Sequence, residues 1–335
     1  MSKNYYIIPV FIPEKACPFR CVYCNQYNIT NKEKTPRPSD VDEIIRQYLG
    51  TFPEGGTRRV AFFGGSFTGM AIEEQNQYLD AVQPYIRRGA IESVQISTRP
   101  DYINEAVLDN LAKKNVGIIE IGAQSLDNAV LRSAGRSHDA AAVCRAAQMI
   151  KKYSFKLGLQ MMIGLPGDSF EKSFATAEKI VALGADYTRI YPTLIIKDTG
   201  LEKLYLSGAY QPLTLKEAVT WSKNLMLFFE RHNVAVLRVG LHPSEGLRDG
   251  TTLLDGPFHP SFKELVASSV WSDILHDYFH DKNGNELIIY VNPKDINAAI
   301  GHCSENRKWL QTNYKTVKFL PDDTLESYQL NWIIS

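Results

Sequence analysis

Three thiols crowd into one short run, Cys17-Pro18-Phe19-Arg20-Cys21-Val22-Tyr23-Cys24. Cysteines at this density in a chain without a disulfide framework are metal ligands. Their number is informative. A structural zinc ion takes four closed tetrahedral ligands, and neither Cys144, Cys303 nor a histidine stands at a short spacing from the triplet. A cubane iron–sulfur cluster normally takes one cysteine on every iron. Three cysteines therefore leave one iron open to another ligand. Two readings follow: an iron–sulfur cluster with an open iron, or a zinc knuckle or redox-inert thiol group.

The bulk properties narrow the setting. A chain of 335 residues suits one large α/β domain with a small appendage, or two medium domains, on a prior of roughly 150 residues per domain. It is 44% hydrophobic and 22% charged, enough to bury a sizeable core. Lys+Arg and Asp+Glu balance at 37 each, so any contact with nucleic acid must be a local patch. Five cysteines, an odd count with three crowded together, argue for a reducing compartment. The first residues lack a signal-peptide pattern, and no apolar run reaches the roughly 20 residues of a membrane span. The expectation is a cytoplasmic protein without membrane contact.

The elements that must position the thiols alternate in type. An apolar strand over residues 5–12 leads directly into the cysteine loop. Strands are then predicted over 59–63, 93–96, 116–121, 155–163, 187–191 and 234–239. Helices fall between them: from Ser39 or Asp40 to about Leu49, with Glu43 completing a capping box, then 72–87, 104–114, 127–133 with 140–153, 170–183 and 215–232. Strand–helix alternation of this kind argues for a parallel sheet. Polar and glycine-rich segments follow the strands: Gly64-Gly65-Ser66-Phe67-Thr68, Ser97-Thr98-Arg99-Pro100-Asp101, Gly122-Ala123-Gln124-Ser125 and Gly164-Leu165-Pro166-Gly167. A barrel of parallel strands gathers such loops on one site, whereas an open doubly wound sheet gathers them only near a switch point. The expected fold is α/β, an incomplete (β/α)6 TIM-like barrel over residues 1–242. Residues 243–262, punctuated by glycine and proline, read as a connector. Residues 263–335 read as a small α/β unit, with helices over 262–278 and 295–311 and strands over 286–291 and 316–320.

The Cys-x3-Cys-x2-Cys spacing, with aromatic Tyr23 before its last cysteine, resembles the signature of the radical S-adenosylmethionine superfamily. The resemblance implies that Cys17, Cys21 and Cys24 hold three irons of a [4Fe–4S] cluster. The open iron chelates S-adenosylmethionine, whose cleavage yields a 5′-deoxyadenosyl radical. Gly64-Gly65-Ser66 resembles the family's GGE position, which meets the methionine amino group through exposed backbone that a Cβ would block. Gly122-Ala123-Gln124-Ser125 resembles GVQS and implies that Gln124 binds the ribose. Gly135-Arg136-Ser137-His138 resembles a region whose arginine meets the methionine carboxylate, a task suited to a guanidinium fork. Gly164-Leu165-Pro166-Gly167 resembles the GLPG turn that packs against adenine. Ser97 stands where relatives often carry glutamate. Arg99 reads equally as a ligand contact or as a partner of Asp101, and His138 as a loop histidine rather than a base. Tyr191, Arg189 and Arg238, near late strand ends, are candidates for the substrate face.

Gln160-Met161-Met162 and Tyr191-Pro192-Thr193-Leu194-Ile195-Ile196-Lys197-Asp198-Thr199-Gly200-Leu201 are similar to the Elongator catalytic-subunit family. That family joins a radical domain to an acetyltransferase and modifies wobble uridine in tRNA. The similarity runs over residues 5–241. The cysteine loop here is shorter than in those relatives, and no acetyltransferase is expected in the residues that follow, so acetyl-CoA chemistry is not implied. Residues 296–308, with Gly301-His302-Cys303-Ser304, resemble the core of a KH domain, whose GxxG loop clamps a nucleic-acid backbone. Ser304 replaces the second glycine; Arg307, Lys308, Lys315 and Lys318 make the stretch locally basic. The expected function is reductive cleavage of S-adenosylmethionine acting on RNA, with tRNA preferred and a flavodoxin or ferredoxin as reductant. The alternatives are a radical enzyme for a small metabolite or tetrapyrrole, and a catalytically silent RNA-binding iron–sulfur protein.

Overall fold

The computed structural model describes residues 5–13, 17, 21–30, 34–53 and 55–335. The middle of the cysteine loop, Pro18 to Arg20, lies outside them. The chain divides into two compact units. The first comprises Met1–Thr214 and Phe228–Phe258, and the second Leu215–Leu227 and His259–Ser335.

Seven strands organise the first unit: β1 (Tyr5–Ile12), β2 (Thr57–Gly64), β3 (Ser93–Thr98), β4 (Val116–Gln124), β5 (Lys156–Ile163), β6 (Tyr187–Pro192) and β7 (Ala235–Val239). They lie side by side in chain order, and every neighbouring pair is parallel. Parallel neighbours need a crossover, and helices supply it. The sheet curls into an open half-barrel. Alternation along each strand separates two faces. One face carries Ile8, Val10, Val60, Ile96, Ile121, Leu159 and Ile190, all inaccessible to solvent, as expected beneath covering helices. The concave face carries Phe11, Phe63, Ser97, Gln160, Met162 and Tyr191, all half-buried. That difference keeps the concave face within reach of a ligand.

A charged pair crosses the floor of this face. Arg189 on β6 donates from Nε and Nη2 to the two Glu120 oxygens on β4, at 2.5 and 2.9 Å. Gln95 on β3 donates to the same carboxylate. Between them lies Gly158 of β5, where a Cβ would stand 2.6 Å from Glu120 Cγ. Glycine is required there so that the carboxylate can reach across a strand. Burial works against charge on Arg189, but Glu120 and then Tyr191 outweigh it and raise its pKa. The sequence offered Arg189 for the substrate face; the structure shows its fork occupied by Glu120.

Short polar N-caps start the helices around this sheet. Asn104, Asp127, Asp139, Ser169 and Thr199 each accept a backbone N–H of the following turn, satisfying donors the helix cannot. The capping box expected at Glu43 does not form. The reciprocal contact lies one turn earlier, where the Arg37 N–H donates to Asp40 at 2.8 Å. A helix at Gly200–Leu206 and a pairing of Ile195–Ile196 with Leu253–Asp255 were not legible as periodic segments. The latter places an ordered strand inside the expected connector.

In the second unit, a central strand, Gly284–Val291, pairs in parallel with Tyr314–Pro321 and antiparallel with Leu330–Ile334. The helix expected over 295–311 is two helices, Ile296–Ile300 and Glu305–Leu310. Between them Gly301, Cys303 and Ser304 all take positive φ, at 88°, 50° and 60°. At Gly301 a Cβ would meet the Asn306 nitrogen at 2.8 Å. A left-handed turn, not helical periodicity, decides this segment. No helix among the described residues is long and apolar enough to cross a membrane.

Replacing Glu120 by alanine leaves the Arg189 charge buried alone, and should cost about 3–5 kcal/mol in urea unfolding. The double variant E120L/R189M should recover most of that loss. Equal destabilisation by the single and double variants would show that the pair does not hold the floor.

Candidate cofactor site at the carboxyl ends of the strands

The cysteine loop is pinned from two sides. The Val22 N–H donates to Ala134 O at 3.1 Å, and the Leu201 N–H donates to Val22 O at 2.6 Å. Gly200 permits this approach, since its Cβ would stand 3.3 Å from Val22 Cα. Cys21 and Tyr23 are thereby buried against Val130, Ala134, Leu165, Ile195 and Leu201. At the near end of the loop, Cys17 Sγ lies 3.5 Å from the Ser66 hydroxyl. The loop thus spans from the residues after β2 to those after β4.

Gly64 and Gly65 make a tight crossing beside β1. Gly64 has φ 110°, and a Cβ on it would lie 2.7 Å from Ile12 O. The Gly65 N–H donates to that same carbonyl at 2.6 Å, and Gly64 O accepts from Gln26 Nε2 at 2.6 Å. These backbone groups are therefore used within the protein. What faces a pocket here is Gly65 and Ser66, with Ile12, Phe62, Phe63, Phe67, Met70 and Ser97 completing its wall.

β4 extends three residues beyond its expected end, through a register shift between Gly122 and Gln124. Gln124 has φ 64°, a left-handed conformation that costs a non-glycine residue of order 1 kcal/mol and gathers at functional sites. Its amide Oε1 is buried without a hydrogen-bond partner among the described residues. A buried acceptor left unpaired is costly, and a ligand hydroxyl would satisfy it.

Arg136 sits at the centre. Nη1 donates to Cys21 Sγ at 3.2 Å and to the Tyr23 hydroxyl oxygen at 3.5 Å. Nη2 donates to Gly122 O at 2.6 Å and lies 3.4 Å from His138 Nε2. Nε is buried without a partner among the described residues. Burial disfavours the Arg136 charge, but Tyr23 and then Cys21 outweigh it, so its pKa is raised. Burial pushes the Tyr23 hydroxyl well up; Arg136 opposes this, and Cys21 and Cys24 add to it. Burial and then Arg136 push His138 down to about 3, so it is neutral and able to accept from Arg136. Arg99 pairs with Asp101 through two bonds of 3.0 and 2.7 Å and donates to Ser137. The structure thus shows the ion-pair reading of Arg99.

Gly164 is differently placed. The space its Cβ would fill holds Leu213 at 2.9 Å. Its carbonyl accepts from the Tyr210 hydroxyl at 2.5 Å, and its N–H donates to Asp168 at 2.9 Å. Tyr191 and Arg238 are half-buried near the late strand ends. Sequence spacing gave no sign that the Arg99–Asp101 pair lies beside His138, nor that Gln26 reaches back to Gly64; both are contacts between segments distant in sequence.

Among the described residues, no three histidine, cysteine or acidic side chains form a ready-made metal group. The donor chemistry still fits an iron–sulfur cluster: three soft thiols on one loop, a guanidinium on one sulfur, and the unpaired Gln124 Oε1 and Arg136 Nε close by. Cys17, Cys21 and Cys24 would hold the cluster.

A parallel half-barrel with a three-thiol loop at the carboxyl edge defines a class of cofactor-dependent proteins, and the comparisons identify which. Residues 12–180 match the Radical SAM superfamily and residues 185–271 its Radical SAM C-terminal domain. The chain belongs to the radical S-adenosylmethionine superfamily and is an enzyme of that family. It is 28% identical over 206 residues to tRNA uridine(34) acetyltransferase of Methanocaldococcus infernus, covering 59% of this chain and 38% of that protein. It is 34% identical over 124 residues to Elongator complex protein 3 of Schizosaccharomyces pombe, covering 36% of this chain and 23% of that protein. Protein YhcC of Escherichia coli is 26% identical over 217 residues, covering 60% and 68% respectively. The chain thus spans well under half the length of the first two. The solved structure of Methanocaldococcus infernus Elp3 with an N-terminal deletion superposes with a TM-score of 0.63 at 20% identity, covering 82% of this chain and 64% of that one. That likeness shows the fold.

Changing Cys17, Cys21 or Cys24 singly to alanine should drop iron and sulfide content after anaerobic reconstitution to background, while Cys144→Ala and Cys303→Ala load like the parent. Normal loading in any of the three would remove that cysteine from the ligand set.

Proposed function

We propose that this protein cleaves S-adenosylmethionine reductively at a [4Fe–4S] cluster held by Cys17, Cys21 and Cys24, and that its substrate is RNA, most naturally tRNA. The observation that carries the reading is the convergence of Cys21, Tyr23, Arg136 and the unpaired Gln124 oxygen at the end of β4. When bound, the cluster supplies the single electron that breaks the sulfonium bond of S-adenosylmethionine. The protein's part is binding, orientation and exclusion of water. Gly64, Gly65 and Ser66 shape the methionine end beside the pocket after β2. Gln124 Oε1 would accept from a ribose hydroxyl, and Gly164, whose carbonyl accepts from the Tyr210 hydroxyl, would close the adenine side. With both Nη atoms of Arg136 already engaged, Nε is the donor that would be left for the cofactor carboxylate. The electron comes from a low-potential donor of the flavodoxin or ferredoxin class.

The RNA reading is supported by the names of the tRNA uridine(34) acetyltransferase relatives and by the second unit. Its strand–helix–turn–helix–strand order around residues 301–304 carries exposed Lys308 on the helix after the left-handed turn and exposed Lys315 on the strand after that helix, an order that a KH-like clamp would have.

Anaerobically reconstituted protein with dithionite and S-adenosylmethionine should form 5′-deoxyadenosine, detected by mass spectrometry, and Cys21→Ala should abolish it. Bulk tRNA should stimulate the reaction. Cleavage indifferent to tRNA would favour a small-molecule substrate, and a loaded cluster without cleavage would favour a binding protein. Separately, K308E/K315E should weaken tRNA binding in fluorescence anisotropy. It should also flatten the logarithmic salt dependence by about 0.7 for each single-strand phosphate that the lysines had neutralised. Unchanged affinity and slope would take the second unit out of RNA contact.

A further inference from the structure

Arg136 is held more firmly than carboxylate binding alone requires. Its guanidinium is fixed by the Cys21 sulfur, the Tyr23 hydroxyl, the Gly122 carbonyl and the neutral His138 ring. These partners come from the cysteine loop, the β4 bulge and the loop carrying Arg136 itself. Glycine at 122 leaves room for the arrangement, since a Cβ there would lie 3.8 Å from Arg136 Nη2 and 2.9 Å from Gln124 Nε2. The other nearby charges offset each other: Arg99 is paired with Asp101, whose carboxylate is 3.8 Å from His138 Nδ1. A single positive charge is therefore directed at one ligating sulfur.

A guanidinium does not lose its proton in proteins, and charges act over short distances with little screening where water is excluded. Hydrogen bonds to the sulfurs and net charge nearby set the reduction potential of an iron–sulfur cluster. One-electron reduction adds one negative charge to the cluster without taking up a proton. A cation donating N–H to a cluster sulfur stabilises that extra charge more than it stabilises the oxidised state. We propose that Arg136 is a tuning residue: through its N–H···S bond to Cys21 it raises the reduction potential of the cluster, easing delivery of one electron from a low-potential donor. This rests on the radical reading above, and it assigns Arg136 a role that does not need S-adenosylmethionine to be bound.

The test is a redox titration of the anaerobically reconstituted protein without S-adenosylmethionine. The reduced cluster is quantified by electron paramagnetic resonance, and iron and sulfide content are matched between variants. Arg136→Gln should show a reduced-to-oxidised ratio at least tenfold lower at the midpoint of the parent protein, which is a shift of about 59 mV to more negative potential for one electron. Arg136→Lys, which keeps a charge but not the planar set of donors, should shift less. His138→Phe leaves Arg136 and the thiols in place while removing one of the two partners of Nη2, and should move the midpoint in the same direction by a smaller amount. Parent-like midpoints in all three variants would overturn the proposal. Failure of all three to load a cluster would overturn it too, because Arg136 would then serve assembly. A parent protein that itself loads no cluster, or loads one and forms no 5′-deoxyadenosine, would instead fault the underlying radical reading.

Discussion

The half-barrel depends on one buried contact, the Glu120–Arg189 pair laid across Gly158. Desolvating both charges is expensive, and the arrangement holds only because each oxygen of the carboxylate has a donor. Arg189 uses two of its nitrogens on the two oxygens, and Gln95 adds a third bond. The contact joins β3, β4 and β6 on the concave side, with β5 stripped to a glycine beneath it. Of the strands it links, β4 carries the bulge at its end, and β5 beneath the pair carries the turn at Gly164. Phe63, whose ring lies 5.1 Å from the Arg189 guanidinium, brings β2 into the same arrangement. A polar floor with aromatic walls is the result, and it is unlike the fully packed interior of a closed barrel.

On that frame, the site is built by backbone more than by side chains. The cysteine loop is held at Val22 by Ala134 and Leu201. The crossing at Ile12 and Gly65 fixes the other rim. Side chains then add charge and unsatisfied polarity at chosen points: a cation on Cys21, an open acceptor on Gln124, and a histidine kept neutral so that it can accept. The strained backbone at Gln124 belongs to the same logic, since it falls at the register shift that also carries the unpaired acceptor.

Much of this was legible in the sequence. The seven parallel strands and their order follow from alternating apolar runs and helical spacing, because burial on one face writes a period into the chain. The thiol loop was legible because cysteine has few other reasons to cluster. Three kinds of feature were not. The Gly301–Ser304 turn interrupts a stretch whose apolar spacing suits one continuous helix, and only backbone conformation separates its halves. Gly164 reads as a ligand cradle, yet Leu213, distant in sequence, fills the space beside it. Arg189 reads as a cation at a strand end, and nothing near it in sequence announces Glu120. Each depends on partners that come together only in the folded chain.

The sheet ends at β1 on one side and at β7 on the other, and these two strands do not pair. In a cylinder, a reactant must arrive end-on, through the mouth, and its size is capped by the bore. A trough has a long open flank as well. Bulk attached to the reacting group can stay outside along that flank while only the group itself lies on the floor. The sheet itself, unlike a closed cylinder, therefore sets no bore that caps the girth of the molecule to which the reacting group belongs.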